Sequence, residues 1–129
     1  MDTKKDKTEL IYKELSYKII GIAMSVHKEL GSGFLEKVYE NAMMVLFRKQ
    51  KIEAEQQKPI DVIFKNENVG SYYADLLVEN KVIVELKTVD KIIDVHKAQV
   101  LNYLKATGLH LAIILNFHSQ SLEYKRIIL

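Results

Sequence analysis

Apolar residues recur every three or four positions through the first part of the chain, which is the spacing of an amphipathic helix. This pattern predicts a first helix over residues 8–30. Gly31 is well placed to end that helix as a left-handed C-cap. A second helix is predicted to follow and to run to about Lys51. The apolar stripe of the first helix comprises Ile11, Leu15, Ile19, Ile22, Val26 and Leu30, and that of the second comprises Leu35, Val38, Ala42 and Val45.

Short runs with the composition of strands come next, and they are rich in β-branched and aromatic residues. The only proline, Pro59, separates the first two runs, and a turn is predicted at Asn66-Glu67-Asn68 after the second. The short polar link Glu79-Asn80 makes the next two runs a hairpin. Helical spacing returns over residues 91–107 and ends at Gly108. The predicted strands cover residues 52–58, 60–65, 69–78, 81–89, 109–117 and 122–128, the last of them at an edge of the sheet.

The order of predicted elements is therefore ααββββαββ, which indicates an α/β (α+β) fold with a mixed sheet and helices packed on it. The strand–helix–strand unit over residues 81–117 implies one parallel pair with a right-handed crossover. A chain of 129 residues is long enough for one domain but not for two independent cores. We expect residues 1–7 to be a flexible lead-in and residues 8–129 to form a single domain.

Composition excludes several classes of protein. Hydrophobic residues make up 48% and charged residues 28%, which excludes collagen-like, low-complexity and disordered chains. The net charge of +2 is too weak to indicate nucleic acid or a membrane by itself. The absence of cysteine excludes disulfides and a thiolate zinc site. Because no apolar run has the length of a membrane span and the N-terminus is charged, we expect a cytoplasmic protein without membrane contact.

Three charged residues are predicted to meet on one face of the central hairpin. Asp75 and Glu85 are nearly symmetric about its turn, so their side chains face each other as close or diagonal neighbours. Glu85 and Lys87 are two apart on one strand and share a face. A divalent cation would relieve the repulsion between two buried carboxylates, and Mg²⁺ prefers such oxygen ligands. With a lysine nearby to stabilise charge on a phosphate, the group suits metal-assisted hydrolysis of a phosphodiester.

The Glu-x-Lys pattern is a weak signal by itself, because it occurs three times in the chain. Only the copy at Glu85 and Lys87 has apolar flanks and an aspartate ten residues earlier. The alternative interpretation is a salt bridge, in which Lys87 neutralises Asp75 or Glu85 on a solvent-facing sheet.

The following helix carries a stripe of hydrogen-bonding residues, since His96, Gln99 and Tyr103 are spaced i, i+3 and i+7. This helix starts just beyond Lys87, so it can present the stripe to the same end of the sheet. The alternative is a polar face exposed to solvent.

The helices before the sheet offer three further candidates. Glu36 is three residues before Tyr39, so both lie on one face at the start of the second helix. Their simpler roles are a favourable contact with the helix dipole for Glu36 and half-buried packing for Tyr39. His27 lies near the end of the first helix, where a core or capping role is favoured over that of a ligand.

Together these segments resemble a known family. The run Gly33-Phe34-Leu35-Glu36-Lys37-Val38-Tyr39 matches the Gly-x-x-Glu-x-x-Tyr signature of the GxxExxY proteins. Asp75 with Glu85-Leu86-Lys87 resembles the catalytic motif of the PD-(D/E)XK nuclease superfamily, to which that family is assigned, although Ala74 stands where the superfamily name has proline. The run Gln99-Val100-Leu101-Asn102-Tyr103 resembles the Gln-x-x-x-Tyr motif of many exonuclease-like members.

The resemblance implies a restriction-endonuclease-like fold, in which helices flank a mixed central sheet. It implies that Asp75 and Glu85 bind Mg²⁺ or Mn²⁺, that Lys87 is catalytic, and that Glu36 approaches the metal from its helix. Gln99 and Tyr103 would support the site or contact the nucleic-acid backbone. The remaining supporting candidates are Tyr39, His96 and His27.

Two kinds of function follow as hypotheses. The first is a metal-dependent nuclease that acts on DNA in preference to RNA. The second is a non-catalytic module on the same scaffold, which binds nucleic acid or, through the first helix or the last strand, another protein. Because a chain this small has little material for a recognition domain, specificity would come from a homodimer or a partner protein.

Overall fold

The computed structural model describes residues 12–129, in which it has three helices and five strands. The predicted lead-in over residues 1–7 and the first residues of the predicted first helix, 8–11, lie outside the described range. No helix within residues 12–129 is long and apolar enough to cross a membrane. The elements are α1 (Lys13–Leu30), α2 (Glu36–Lys49), β1 (Ala54–Phe64), β2 (Glu67–Val78), β3 (Val82–Lys87), α3 (Asp94–Thr107), β4 (Leu111–Asn116) and β5 (Glu123–Ile128).

Two glycines end helices where the sequence predicts it. Gly108 follows α3 in the left-handed helical conformation, with φ 76° and ψ 8°. Gly31 follows α1 with a φ of 72°, but its ψ of −171° is extended, so the left-handed C-cap predicted there is wrong in ψ. Each donates its N–H to the carbonyl four residues earlier, that of His27 or Leu104. A positive φ suits glycine because it has no Cβ to clash with the backbone.

One mixed sheet contains all five strands in the order β1-β2-β3-β4-β5. Neighbouring strands are antiparallel except β3 and β4, which are parallel and are joined through α3. The mixed α+β class, the parallel pair and the edge position of β5 are therefore confirmed. This arrangement is consistent with a restriction-endonuclease-like fold.

The prediction of two strands on either side of Pro59 is wrong, because residues 54–64 form the single strand β1 and the order is ααβββαββ. β1 lies at the edge of the sheet. An edge strand tolerates proline, since an N–H that faces away from its only neighbour has no strand to bond. The turn also lies one residue earlier than predicted, at Lys65 and Asn66, whose φ angles of 49° and 68° are typical of a two-residue hairpin loop.

The sheet separates two apolar cores, and β3 contributes to both. Its alternate residues Val82, Val84 and Leu86 face α1 and α2, whereas Ile83 faces α3. By the same alternation, Glu85 and Lys87 lie on the side of α3. The core beneath α1 and α2 includes Ile19, Ile22, Met43, Phe47 and Ile113, and the core beneath α3 includes Leu77, Val100, Leu104, Ala112 and Ile114.

The hairpin of β1 and β2 exchanges its two faces partway along its length. Near the base of the hairpin, Leu76 and Val78 pack in the core of α1 and α2. Further out, Ala74 packs in the core of α3, and the Tyr72 ring contacts that of Tyr103. The four residues of β2 are all even-numbered, so a regular strand would place them on one face.

The exchange occurs at Gln57 and Asp75, where the pairing of β1 with β2 skips one position between Gln56 and Lys58. Gln57 has a φ of 52°, a left-handed conformation that rotates the strand. The outer part of the hairpin, residues 58–74, is called the arm below. β3 pairs with β2 only over residues 76–78, so the arm continues past β3 and lies beside α3.

Substitutions at Gln57 test whether its backbone is strained. Gln57→Gly and Gln57→Ala both remove the side-chain amide, but only glycine adopts a φ of 52° without a clash. We expect the Gly variant to be more stable than the Ala variant by up to about 1 kcal/mol, measured by urea denaturation. In an ordinary strand the order would be reversed, so a more stable Ala variant would contradict the assigned strain.

Candidate active site

Asp75 and Glu85 meet at the point where β2 separates from β3. Backbone pairing of the two strands ends at Leu76 and Val84. One step further, the Asp75 N–H donates to Glu85 Oε1 at 3.0 Å, and the Leu86 N–H donates to Asp75 Oδ2 at 2.8 Å. Each carboxylate thus accepts a hydrogen bond from the opposite strand, in place of a backbone carbonyl. The two acids face each other across the strands, as the hairpin symmetry predicts.

No positively charged side chain of residues 12–129 forms an ion pair with Asp75 or Glu85. Burial, and after it the nearby Asp75 carboxylate, raise the pKa of Glu85 to about 8, and burial likewise raises the pKa of Asp75. Among residues 12–129, neither acid forms an ion pair and nothing donates to Glu85 Oε2. Asp75 Oδ1 has only the distant Gln57 Nε2, at 3.5 Å. One oxygen of each acid therefore remains available to a cation.

Lys87 is held by α3 instead of by the acids. Its Nζ donates to Gln99 Oε1 at 3.1 Å, and Gln99 Nε2 donates to Tyr103 Oη at 3.0 Å. The hydroxyl of Tyr103 lies in a buried environment, and burial raises its pKa. The structure therefore brings Lys87, Gln99 and Tyr103 together in one chain of hydrogen bonds, and the alternative salt bridge from Lys87 to Asp75 or Glu85 is not formed.

Glu36 lies at the edge of this group. The Thr88 hydroxyl donates to Glu36 Oε1 at 2.7 Å. This hydrogen bond, with a smaller contribution from the charge of Lys87, lowers the pKa of Glu36. The first turn of α2 is thereby attached to the loop that follows β3, and Glu36 is an ionised group beside Lys87.

Tyr39 fixes the connection that precedes Glu36. Its ring is fully buried and stacks on Phe117 with 4.3 Å between centroids. Its hydroxyl donates to the Gly31 carbonyl at 2.6 Å and accepts the Phe34 N–H at 3.2 Å. Tyr39 therefore fixes the turn between α1 and α2 from the side of the core. This turn determines where α2 begins and where Glu36 lies.

The two candidate histidines form their hydrogen bonds with residues other than the carboxylates. His96 Nδ1 accepts the Ile93 N–H at 3.0 Å and so caps the first turn of α3. His27 Nε2 is 2.8 Å from the Ser119 carbonyl, and its ring lies near Phe117. Within the described range, neither contacts Asp75, Glu85 or Lys87.

Glu40, an acid that is only 2% exposed, was missed among the residues predicted from the sequence. It accepts hydrogen bonds from Lys37 Nζ at 2.9 Å, Gln56 Nε2 at 2.6 Å and Gln57 Nε2 at 2.9 Å. Its charge contributes to the raised pKa values of Asp75 and Glu85. The available signal was its spacing, because Glu40 is one helical turn after Glu36.

Gln57 and Asn116 were also missed, and both position parts of the site. Gln57 lies between the carboxylates of Glu40 and Asp75. Asn116 is 1% exposed and binds Val89 twice, accepting its N–H at 3.1 Å and donating to its carbonyl at 2.8 Å. These contacts anchor the loop after Lys87.

The acids do not form a closed metal cage. In residues 12–129 no group of three or more His, Cys, Asp or Glu side chains is arranged to hold a metal ion. Mg²⁺, however, is often bound by one or two carboxylates, with water and substrate phosphates completing its shell. Glu85 Oε2 and Asp75 Oδ1, the latter with only the distant amide of Gln57 as a donor, fit that kind of open site.

Two comparisons with known proteins found a match. A family model for the PD-(D/E)XK nuclease superfamily matches residues 13–127. Among solved structures, the fold is similar to one described as "Crystal structure of SSO0001", with a TM-score of 0.54 and 18% identity over 97% of this chain. The present chain spans only 61% of that chain, and the likeness concerns the fold alone. No curated protein matches the sequence significantly.

The raised pKa of Glu85 predicts a stability that depends on pH. Because the folded protein binds this proton more tightly than the unfolded chain does, the stability that it contributes is complete below pH 4.5 and is lost as the pH rises to about 8. Glu85→Gln has no such loss. Without metal, we expect the variant to gain at least about 1.4 kcal/mol over the wild type between pH 5 and pH 9, measured by urea denaturation. A difference that stays constant with pH would contradict the shift.

Tyr39→Phe tests the turn between α1 and α2. The variant retains the stack on Phe117 but leaves the Gly31 carbonyl and the Phe34 N–H without their partner. We expect it to lose about 1 kcal/mol or more of unfolding free energy. Tyr17→Phe is the matched control, since Tyr17 is 81% exposed. Equal effects of the two substitutions would show that the Tyr39 hydroxyl has no such role.

Proposed function

The chain belongs to the PD-(D/E)XK nuclease superfamily, and on that premise we propose that it is a metal-dependent nuclease that hydrolyses phosphodiester bonds of DNA, with RNA as the second candidate substrate. The observation that carries this proposal is that half-buried Asp75 and buried Glu85 face each other without an ion-pair partner in residues 12–129, so that a divalent cation would relieve their repulsion. A pair that served only stability would be expected to have a compensating lysine or arginine in contact.

Asp75 and Glu85 would hold Mg²⁺ or Mn²⁺ through the oxygens that accept no backbone N–H. The bound ion would polarise the scissile phosphate and make a bound water more acidic. Because cation binding favours the ionised acids, Glu85 would release its proton when the site fills. The backbone N–H groups of Asp75 and Leu86 keep the two carboxylates oriented throughout.

Lys87 would act on the phosphate. Its ammonium group lies on the same face as Glu85, and Gln99 holds it through one hydrogen bond. A cation in a water-poor site stabilises the negative charge that develops on the phosphate oxygens in the transition state. Gln99 and Tyr103 are positioning residues for Lys87, since their hydrogen bonds hold its ammonium group.

Glu36 would be the additional acid at the site. Its ionised state and its place beside Lys87 suit a contact with a hydrated cation.

Membership of the GxxExxY group is part of the proposal, and it is supported by the contacts of Tyr39 that fix the turn before Glu36. We also retain a single domain over residues 8–129, a cytoplasmic location, and a homodimer or partner protein as the source of specificity.

The test is cleavage of supercoiled, linear duplex and single-stranded DNA and of a structured RNA, in Mn²⁺ and separately in EDTA. We expect cleavage only with metal, and a loss of about 100-fold or more in Lys87→Ala. Lys125→Ala is the matched control, because Lys125 ends another Glu-x-Lys sequence but is exposed on β5. The control should cleave as the wild type does.

Calorimetry with Mn²⁺ separates the metal site from the chemistry. Wild type and Lys87→Ala should bind the ion, whereas Asp75→Ala should not. Equal cleavage by Lys87→Ala and the wild type would remove the proposed role of Lys87 and indicate a contaminant. Metal binding without cleavage of any substrate would favour the non-catalytic module.

A further inference from the structure

A groove of about 720 Å³ lies between the arm and α3, and its volume is within the roughly 300–1,000 Å³ of ligand pockets. Its outer wall comes from the arm and includes Val62 and Tyr72. Its inner wall comes from α3 and includes Gln99, Asn102 and Tyr103. The groove exists because the hairpin exchanges its faces at Gln57 and Asp75, which turns the Tyr72 side of β2 toward α3.

The groove adjoins the candidate active site, although Asp75, Glu85 and Lys87 do not line it. Gln99 and Tyr103 belong to its wall, and they are the same two residues that hold Lys87. A group bound in the groove would therefore be separated from the Lys87 ammonium by one side chain. A substrate with its phosphate at the carboxylates would have its neighbouring part in the groove.

The walls combine features that suit a nucleobase. Tyr72 is 51% exposed as a residue and offers an aromatic ring to the groove, while Val62 is an apolar neighbour. The amide of Asn102 can both donate to and accept from the edge of a base. The one charged residue along the groove is Lys105, a cation, and no acid lines it within the described chain. This charge is complementary to the phosphates that flank a base.

A base inside a duplex cannot use such a groove, because its neighbours cover both of its faces. Stacking on an aromatic side chain requires a base that has left the helical stack, and it tolerates any base because each has a π-face. We propose that the groove binds an unpaired base of the DNA strand that is cleaved, and that this base stacks on Tyr72. This inference rests on the proposed function. The substrate class is then single-stranded DNA or an unpaired strand within a duplex.

The test measures binding in EDTA, so that no cleavage takes place. A fluorescent single-stranded DNA oligonucleotide and the blunt duplex of the same sequence are titrated with the whole protein, and anisotropy gives both Kd values. We expect Tyr72→Ala to weaken binding of the single strand at least about fivefold, and Tyr72→Phe to keep it within about twofold. Tyr72→Leu, which keeps apolar packing on α3, should behave like Tyr72→Ala.

Tyr73→Ala is the matched control. Tyr73 is the next residue along β2, is 58% exposed, and lies on the opposite face of the strand. We expect its substitution to leave the Kd within about twofold of the wild type. An oligonucleotide with one 2-aminopurine should also lose fluorescence on binding the wild type, and should lose less on binding Tyr72→Leu.

Three results would overturn the proposal: equal effects of substituting Tyr72 and Tyr73, duplex bound as tightly as single strand, or no quenching of 2-aminopurine.

The outcome is distinguishable from that of the proposed function. Cleavage that needs Lys87 but is indifferent to Tyr72 would reject the groove and leave the nuclease intact. Binding that needs Tyr72 in a protein that cleaves nothing would keep the groove and reject the nuclease.

Discussion

Two hydrogen bonds from strand amides to the carboxylates of Asp75 and Glu85 hold β2 and β3 together where their backbone pairing ends. Without them, two N–H groups would lose their acceptors at the centre of the sheet, which is costly in a buried environment. Because Asp75 and Glu85 supply those acceptors, β2 can turn away from β3 and form the arm. The same two side chains thus permit the irregular geometry and make up the candidate site.

Most of the fold could be predicted because its elements follow local rules. Alternation along β3 and glycines at two helix ends are visible in the sequence, and both are found in the structure. Pro59 misled the prediction because its effect depends on whether a strand is central or at an edge, which is a tertiary property. The end of β3 was placed too late and the start of α3 too early, since Asn116 binds the backbone of Val89 outside the strand and Glu123 accepts the Ile92 N–H outside the helix.

Only those residues of the candidate site that have a regular spacing in the sequence were predictable. Asp75 and Glu85 follow from the symmetry of one hairpin, and Gln99 and Tyr103 follow from one helix face. Glu40 and Gln57 join the group through long-range packing between α2 and β1, which no local pattern encodes. The left-handed backbone of Gln57 is a further case, because residue type alone does not favour that conformation outside glycine and asparagine. The roles of all these side chains in a reaction remain predictions.

The parallel pairing of β3 with β4 has a consequence for how the chain folds. Antiparallel neighbours close over short loops, whereas this pair forms only after the chain has passed through α3. Contacts between distant parts of a chain form slowly, so docking of β4 is expected to limit the folding rate. That docking also completes the burial of Glu85, which lies opposite Ile114 of β4. Near neutral pH and without metal, the slow step of folding should therefore take up a proton from the solvent.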